Sequence, residues 1–501
     1  MDGLPVVTPQ VMKEIEKRAF EAGESEETYM KNAGRGIASA VEGFLVTLRT
    51  SGEVSLLIGK GNNGGDAFVA GELLKKKGFS VTAYCLFPLE ECSSLSQKMA
   101  KGFVKAGGKV EVISSAPSFD GEKGVIVDGI VGTGFQGAAR GLVAEVIDAA
   151  NTSHLPIFAI DIPSGLQAES GVVENIAIKA HTTLFLGLPK IGFFIGKGWD
   201  HVGKLDYVDF GLPAKFFEEV DPVAHLISEK RTASYLPTVE RSRHKYQAGY
   251  VLAVAGSSGM SGAAIMSAFS VLKVGAGIVR LFFPHEMKEE LAAAPFELIK
   301  EGWDLKDPSR ILEEAKRAKV LILGPGMGRS SKAMEAIGTL LNEISLPTVL
   351  DADALFFLAE HPDHPLPERT ILTPHHGEMA RILGKEVTLS SCNEYVKEKK
   401  VTLVLKGAPT ILFHRHAEPL IIPHGDPGMA TAGTGDVLTG LIAGLLAQGL
   451  DPRKAAGLGV LLHSLSGEIA AKEESSYSLT ATDLIHFLPE AIQILLHYQG
   501  A

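Results

Sequence analysis

The chain has 501 residues, 45% of them hydrophobic and 21% charged, the makeup of an ordinary globular protein of roughly two to four domains. Acidic residues outnumber basic ones by 59 to 48, giving a net charge of -11, and no block of Lys and Arg runs along the chain, which argues against a nucleic-acid partner. The start, Met1-Asp2-Gly3-Leu4-Pro5, lacks the pattern of a secretory signal, and apolar stretches such as 441–447 are too short to span a bilayer, so a soluble cytoplasmic protein is expected. Cys85, Cys92 and Cys392 are odd in number and lack metal-type spacing, as suits unreactive thiols in a reducing compartment.

Residues 10–48 carry helix-type apolar spacing and are expected to pack against a sheet. Short apolar runs then follow at 54–58, 81–84, 125–127, 157–160 and 183–186, alternating with longer amphipathic stretches up to about residue 211. Runs without strict in-out alternation fit strands covered on both faces, hence a parallel sheet in a layered α/β domain. The first run leads into Gly61-Asn62-Asn63-Gly64-Gly65-Asp66, whose backbone N–H groups and following helix dipole suit an anion. Asp128 and Asp161 each close a later run, at the sheet edge where open α/β folds bind ligands. Aspartates at strand ends also cap helices, but each of these leads into another glycine-bearing turn, Gly132-Thr133-Gly134-Phe135-Gln136-Gly137 and Ile162-Pro163-Ser164-Gly165. With Asp66, three carboxylates would meet in one crevice and repel each other unless a cation or a proton relieved them. Oxygens from Asn63, Asp128 and Ser164 would suit a hard cation.

These segments, with Pro189-Lys190-Ile191-Gly192, resemble the NAD(P)H-hydrate epimerase domain over about residues 5–215. The resemblance implies that Asn63, Asp128 and Ser164 contact a potassium ion. It also implies that Asn62, Asn63, Gly64, Gly65 and Asp66, with Gly132, Thr133, Gly134, Phe135, Gln136, Gly137, Ala138 and Asp161, hold a hydrated nicotinamide dinucleotide, Asp161 being the acid/base candidate. Ala67 stands where the family usually has glycine, and keeps a small side chain. Epimerisation requires the C–O bond at the hydroxyl-bearing ring carbon to loosen and re-form on the other face; a nearby carboxylate could shuttle the proton and stabilise an iminium-like ring.

After Gly211-Leu212-Pro213 the rhythm stops, and residues 216–235 read as an acidic linker. A second series opens with apolar runs at 250–254, 278–281, 320–323, 348–350 and 402–405 and closes with helical runs at 437–448 and 483–496. Ala432-Gly433-Thr434-Gly435-Asp436 leads straight into the first of these helices, so its N–H groups and the helix dipole would face an anion. Asp436 would then be placed to deprotonate a hydroxyl as it takes a phosphoryl group. The bland alternative is a glycine-rich helix start that merely packs closely on its neighbours. Other turns at predicted strand ends weigh against that: Gly324-Pro325-Gly326-Met327-Gly328, Asp351-Ala352-Asp353-Ala354, Thr373-Pro374-His375-His376-Gly377-Glu378 and Lys406-Gly407-Ala408-Pro409-Thr410.

Together with Ser261-Gly262-Ala263, these turns resemble the ADP-dependent NAD(P)H-hydrate dehydratase, a ribokinase-like enzyme, over about residues 235–498. The resemblance implies that Lys406, Gly407, Ala408, Pro409, Thr410 and Gly435 bind the adenine nucleotide. Ala263, the turn from Gly326 to Gly328, His375 and Asp436 would contact the hydrated dinucleotide. Phosphoryl transfer from ADP to the ring hydroxyl would turn a poor leaving group into a good one, which the ring nitrogen's lone pair then expels, giving NAD(P)H, AMP and phosphate. Asp436 would take the hydroxyl proton, and Mg2+ would screen the nucleotide charge. Asp426 stands where asparagine is common in the family, and Tyr246 replaces a glycine after His244-Lys245.

The expected organisation is an α/β chain with a Rossmann-like epimerase domain at 1–215, a linker at 216–235 and a ribokinase-like dehydratase domain at 236–501. Its small-molecule substrates would be the NADH and NADPH hydrates (NADHX and NADPHX) and ADP, with no nucleic-acid or membrane partner, and a homo-oligomer is the expected state. The rival is a ribokinase-like kinase of a small molecule, such as a vitamin precursor, with a non-catalytic N-terminal binding module. The presence of Asn63, Asp128 and Asp161 argues against lost chemistry in that half.

Overall fold

A computed structural model describes residues 1–47, 52–119, 124–217 and 220–500, which form two compact units, one of Leu4–Ala224 and one of Met1–Gly3 with His225–Ala501. Leu48 of the predicted N-terminal helical stretch, residues 218 and 219 of the predicted linker, and Ala501 lie outside the described residues.

In the first unit the helical spacing resolves into two helices, Pro9–Glu21 and Glu26–Thr47. Thr8 caps the first, its hydroxyl accepting from Val11 N at 3.2 Å with Pro9 in the first helical position, and Met12, Ile15 and Ala19 form its buried stripe. The sheet is parallel throughout, in the order Lys109–Val112, Ser80–Cys85, Glu53–Ile58, Gly124–Gly129, Ile157–Ile160, Thr182–Leu186, Lys204–Val208. Alternate residues of the central strands feed two apolar layers. Leu56, Ile58, Val125 and Val127 pack with Phe68 and Phe103 on one face, and Leu57 and Ile126 pack with Ile130 and Ile147 on the other. Strand order reverses between Glu53–Ile58 and Gly124–Gly129, which makes the gap between their carboxyl ends the expected binding crevice of a doubly wound sheet. The two strand ends close tightly there. Gly59 N donates to Gly129 O at 3.1 Å, and a Cβ on Gly59 would lie 1.7 Å from Ile130 O, so no larger residue fits.

In the second unit the strands run in the order Ala224–Ile227, Ala417–Ile422, Thr410–His414, Thr402–Leu405, Ile371–Leu372, Thr348–Leu350, Val320–Leu323, Tyr250–Val254, Ile278–Pro284, Ile299–Trp303. From Thr402–Leu405 to Ile299–Trp303 the pairing is parallel, whereas Thr410–His414 runs antiparallel to both its neighbours. The stretch read as a linker carries the strand Ala224–Ile227, paired parallel with Ala417–Ile422, and the helix Glu229–Ala233. The predicted helix at 437–448 falls in Thr434–Ala447. Its glycines serve close packing as well: a Cβ on Gly440 would lie 2.1 Å from Ser267 O, and one on Gly444 2.4 Å from Val274 Cγ1. The predicted helix at 483–496 is two, Ala481–His486 and Leu488–Gly500, with Pro489 opening the second. Among the described residues no helix is long and apolar enough to cross a membrane, and all three cysteines are free and buried.

An ion-pair cluster in this unit has a pH consequence. His424 lies between Glu229 Oε1, 3.3 Å from its Nε2, and Glu468 Oε1, 3.2 Å from its Nδ1. Burial opposes its charge, but hydrogen bonds to the two glutamates outweigh that and push it up to about 9, while the bond from His424 draws Glu229 down. A histidine raised in the folded state stabilises fully below its unfolded value near 6.5 and loses that contribution as pH rises through about 9. The difference in unfolding free energy between wild type and His424→Gln is therefore expected to be largest near pH 6, on the order of 3 kcal/mol, and to shrink toward zero by about pH 10.

Candidate active sites

The crevice of the first unit opens into a cavity of about 730 Å³ lined by Asn62, Asn63, Asp66, Gly132, Thr133, Gly134, Phe135 and Asp161, with Glu16, Lys60, Tyr29 and Phe87 among its other walls. A second cavity of about 510 Å³ shares Glu16, Thr133, Gly134, Phe135 and Asp161 with the first and adds Gln136, Lys13 and Glu169. The glycine loop thus delivers its asparagines and Asp66 to the rim, while Gly64 and Gly65 lie buried in the first turn of the helix Asn62–Lys76. There a Cβ would meet Gly59 O at 2.7 Å or Met30 Cε at 2.6 Å. Gly137, at φ +81°, and Ala138 follow the loop and line neither cavity.

Asp161 takes a left-handed backbone conformation, φ +63°, rare outside glycine and best tolerated by Asp and Asn. Its Oδ1 accepts Leu186 N at 3.1 Å and forms an ion pair with Lys190 Nζ, which also donates to Leu186 O at 2.9 Å. Lys190 is 1% exposed, so this cation is dedicated to the site. Around the pair two more acids are held against ionisation. Burial first, then the charges of Asp161 and Glu16, push Asp66 well above the usual carboxyl range. Burial, then Asp161, push Glu16 up to about 7 against the pull of Lys190.

Beneath the cavity floor Asp128 and Ser164 are fully buried. Ser164 donates to Asp128 from Oγ at 2.6 Å and from N at 2.8 Å, and Ile130 N adds a third bond at 3.2 Å. Asn63 bonds through its amide to Ile160 O at 2.8 Å. Every one of these bonds to Asp128 comes from a neutral donor, and burial raises it to about 6 although the bonds from Ser164 and Ile130 pull the other way.

In the second unit the turns at the strand ends converge through a chain of contacts. Asp351, 2% exposed, accepts Lys406 Nζ on Oδ1 and Thr439 Oγ1 on Oδ2, each at 2.8 Å, and so ties the Lys406 turn to the helix Thr434–Ala447. A Cβ on Gly435 would lie 3.3 Å from Lys406 Nζ. Asp353 accepts Gly328 N at 2.8 Å and Arg329 Nε at 3.0 Å. A Cβ on Gly326 would touch the Ala263 Cβ at 3.0 Å. His375 caps the helix His376–Leu383, its Nδ1 accepting Gly377 N at 3.0 Å, and bridges to Lys406 through the backbone; its side chain is 60% exposed. Asp436 sits in the first turn of Thr434–Ala447. Burial, then the charge of Asp351, push it up to about 7 against the pull of Lys406. Lys406 itself is raised, because the charges of Asp351 and Glu378 overcome the cost of burial.

Both departures noted in the sequence have local roles. Asp426 caps the turn Pro427–Met429, accepting Gly428 N at 2.7 Å and Ser476 Oγ at 3.0 Å. Tyr246 packs edge-on against Tyr250 and accepts from Arg317 at 3.1 Å.

The sequence matches the family described as NAD(P)H-hydrate dehydratase over residues 251–490 and the family described as YjeF-related protein N-terminus over residues 26–192. A bifunctional NAD(P)H-hydrate repair enzyme of Moorella thermoacetica is 36% identical over 494 residues, covering 93% of this chain and 92% of the relative. The chain belongs to the bifunctional NAD(P)H-hydrate repair enzyme family. The Escherichia coli member of that name is 34% identical over 448 residues, covering 87% of this chain and 84% of its own. A ribokinase-like superfamily protein of Enterococcus faecalis superposes with a TM-score of 0.51 at 26% identity, covering 55% of this chain and 98% of the other, and so gives the second unit a ribokinase-like fold. Within this family member, Lys190, Glu16, Asp351 and Thr439 escaped the sequence-based choice of site residues. Lys190 lay in a quoted motif without a role, Glu16 sat on an amphipathic helix like any solvent-facing acid, and the Asp351–Thr439 contact spans 88 positions.

Proposed function

We propose that this chain repairs hydrated nicotinamide dinucleotides. The Leu4–Ala224 unit interconverts the R and S hydrates of NADH and NADPH, and the His225–Ala501 unit dehydrates the S form at the expense of ADP, giving NAD(P)H, AMP and phosphate. One observation carries the reading: each unit sets a glycine turn suited to an anion beside an acid and a lysine at its sheet rim, Asp161 with Lys190 in one and Asp436 beside Lys406 in the other. In the first unit Asn62, Asn63, Asp66, the turn from Gly132 to Gln136 and Asp161 take the dinucleotide. In the second, Lys406 to Thr410 and Gly435 take the adenine nucleotide, while Ala263, Gly326, Gly328, His375 and Asp436 face the hydrate. Asp436 accepts the ring hydroxyl's proton as that oxygen takes the phosphoryl group.

The donors under the first cavity fit a large monovalent cation. Asp128 is buried with neutral hydrogen-bond donors alone, and Asn63 and Ser164 add neutral oxygens, so Asn63, Asp128 and Ser164 would hold potassium. When bound, it would offset the Asp128 charge beneath an anionic dinucleotide. Mg2+ enters with the nucleotide phosphates, in keeping with the finding that no cluster of three or more acids, histidines or cysteines among the described residues could hold a metal by itself. With this reading we propose a cytoplasmic homo-oligomer, and sedimentation would check its oligomeric state.

A kinase of a small molecule would suit a ribokinase-like unit taken alone. Incubation with NADH hydrate and either ADP or ATP separates the two readings. Return of the reduced-nicotinamide absorbance with stoichiometric AMP and phosphate from ADP is the expected result, and no return with either nucleotide would favour the kinase.

A further inference from the structure

Five acids line the two joined cavities of the first unit, Glu16, Glu26, Asp66, Asp161 and Glu169, and only Glu16 and Asp161 line both. A substrate ring lodged where the cavities meet therefore has these two carboxyls beside it. They are set up differently. Asp161 is anchored by the Lys190 ion pair and by Leu186 N, both held on its Oδ1. No side-chain hydrogen bond or ion pair holds Glu16 among the described residues; it rises from the edge of the buried stripe of Pro9–Glu21 into a half-buried position.

We propose that Glu16 is a second catalytic residue of the epimerase, acting as general acid opposite the Asp161 base; this rests on the epimerase reading above. Protonated Glu16 gives its proton to the ring hydroxyl, the C–O bond breaks with its electron pair leaving on water, and the ring nitrogen's lone pair forms the iminium. Water then adds to the other face of that carbon and loses its proton to the Asp161 carboxylate. The two groups exchange roles in the reverse direction, and solvent returns the proton between turnovers, so R and S interconvert with no net consumption. A pair of carboxyls set to different proton affinities by their surroundings is how one pocket supplies both acid and base near neutral pH. Burial and the Asp161 charge supply that difference by lifting Glu16 to about 7. The charged groups facing Glu16 are Asp161, Lys190, Glu26 and Asp66, with Lys13 and Glu169 further along the wall.

The test uses the full-length protein without ADP and follows R-to-S exchange of purified NADH hydrate by chromatography. Glu16→Gln is expected to slow kcat for exchange by roughly 10²-fold with KM changed less than about threefold, while ADP-dependent dehydration of the S form stays at the wild-type rate. The wild-type exchange rate should fall as pH rises through about 7, where the acid form of Glu16 is lost, and this limb should be absent from Glu16→Gln and retained in the slower Glu16→Asp. Exchange by Glu16→Gln within about threefold of wild type, or persistence of that limb in it, would overturn the assignment of Glu16 and leave the epimerase reading standing. A wild-type protein that exchanges no epimers would overturn both.

Discussion

Replacing Asp436 with asparagine is expected to lower ADP-dependent dehydration by roughly 10³-fold or more while leaving the protein folded. Asparagine keeps the size and one oxygen at the helix start but cannot take a proton from the ring hydroxyl. The carboxyl lies near Asp351, Asp353 and Lys406, and burial with the Asp351 charge lifts it to about 7, so the wild-type rate of dehydration should climb with pH through that value as the base form appears. The same shift fixes the sign of the stability effect. An acid whose folded pKa is raised stabilises fully below its unfolded value of 3.8 and loses that contribution as pH rises through about 7. Above pH 7 the wild type therefore carries an ionised, half-buried carboxylate beside Asp351 that the variant lacks. The thermal midpoint of Asp436→Asn at pH 8 should equal or exceed that of wild type, an activity loss bought with no loss of stability. Retained dehydration would remove Asp436 from the role of base, and a collapsed midpoint would make its role structural.

Asp161→Asn is expected to stop the other unit's supply line. From a mixture of hydrates with ADP, the S form should be consumed at the wild-type rate, while the enzyme-catalysed loss of the R form falls by roughly 10²- to 10⁴-fold. Asparagine is the informative substitution because it tolerates the left-handed backbone at φ +63° and keeps an oxygen for Leu186 N. It does leave the Lys190 ammonium, 1% exposed, without its counter-charge, and breaking a buried pair costs about 3–5 kcal/mol, so a lower thermal midpoint should accompany the kinetic effect. Chromatography of the two hydrates decides the matter: if both disappear at wild-type rates, Asp161 is not the acid/base.

Much of the fold was legible because buried parallel strands are short unbroken apolar runs. Those at 157–160, 250–254, 320–323, 348–350 and 402–405 coincide with the strands Ile157–Ile160, Tyr250–Val254, Val320–Leu323, Thr348–Leu350 and Thr402–Leu405. Most of the strands that escaped notice are edge or antiparallel ones. Lys109–Val112 and Lys204–Val208 border the first sheet and mix lysine and acid into the run, as edge strands do, and Thr410–His414 turns into Ala417–Ile422 through Arg415-His416, which carries no glycine, asparagine or proline to announce a hairpin. Ala224–Ile227 was hidden by the acidic composition around it.

The candidate sites were legible where a motif placed an acid at the end of an apolar run. That rule brings Asp128 and Asp161 to one sheet edge and Asp351 and Asp353 to another, which Asp436 joins from the first turn of Thr434–Ala447. What it could not give were partners brought in from distant elements. Lys190 reaches Asp161 from 29 residues away, and Glu16 comes from a helix that precedes the sheet altogether. His463 supports the Thr434 carbonyl from the following long helix, its Nε2 at 2.9 Å, and burial pushes it down to about 4, which keeps it a neutral donor. Pairings of this kind depend on tertiary packing and leave no spacing to read.

The central claim is that both halves act in series on the same damaged cofactor, and a single time course tests it. An equal mixture of R and S NADH hydrates is incubated with the full-length protein and excess ADP, and absorbance of the reduced nicotinamide is followed against a control lacking protein. Full recovery, with one AMP and one phosphate formed per dinucleotide restored, is the expected result. Recovery that halts at the S fraction, with the R hydrate left at the rate of the control, would contradict the role of the first unit, and no recovery at all would contradict the account as a whole.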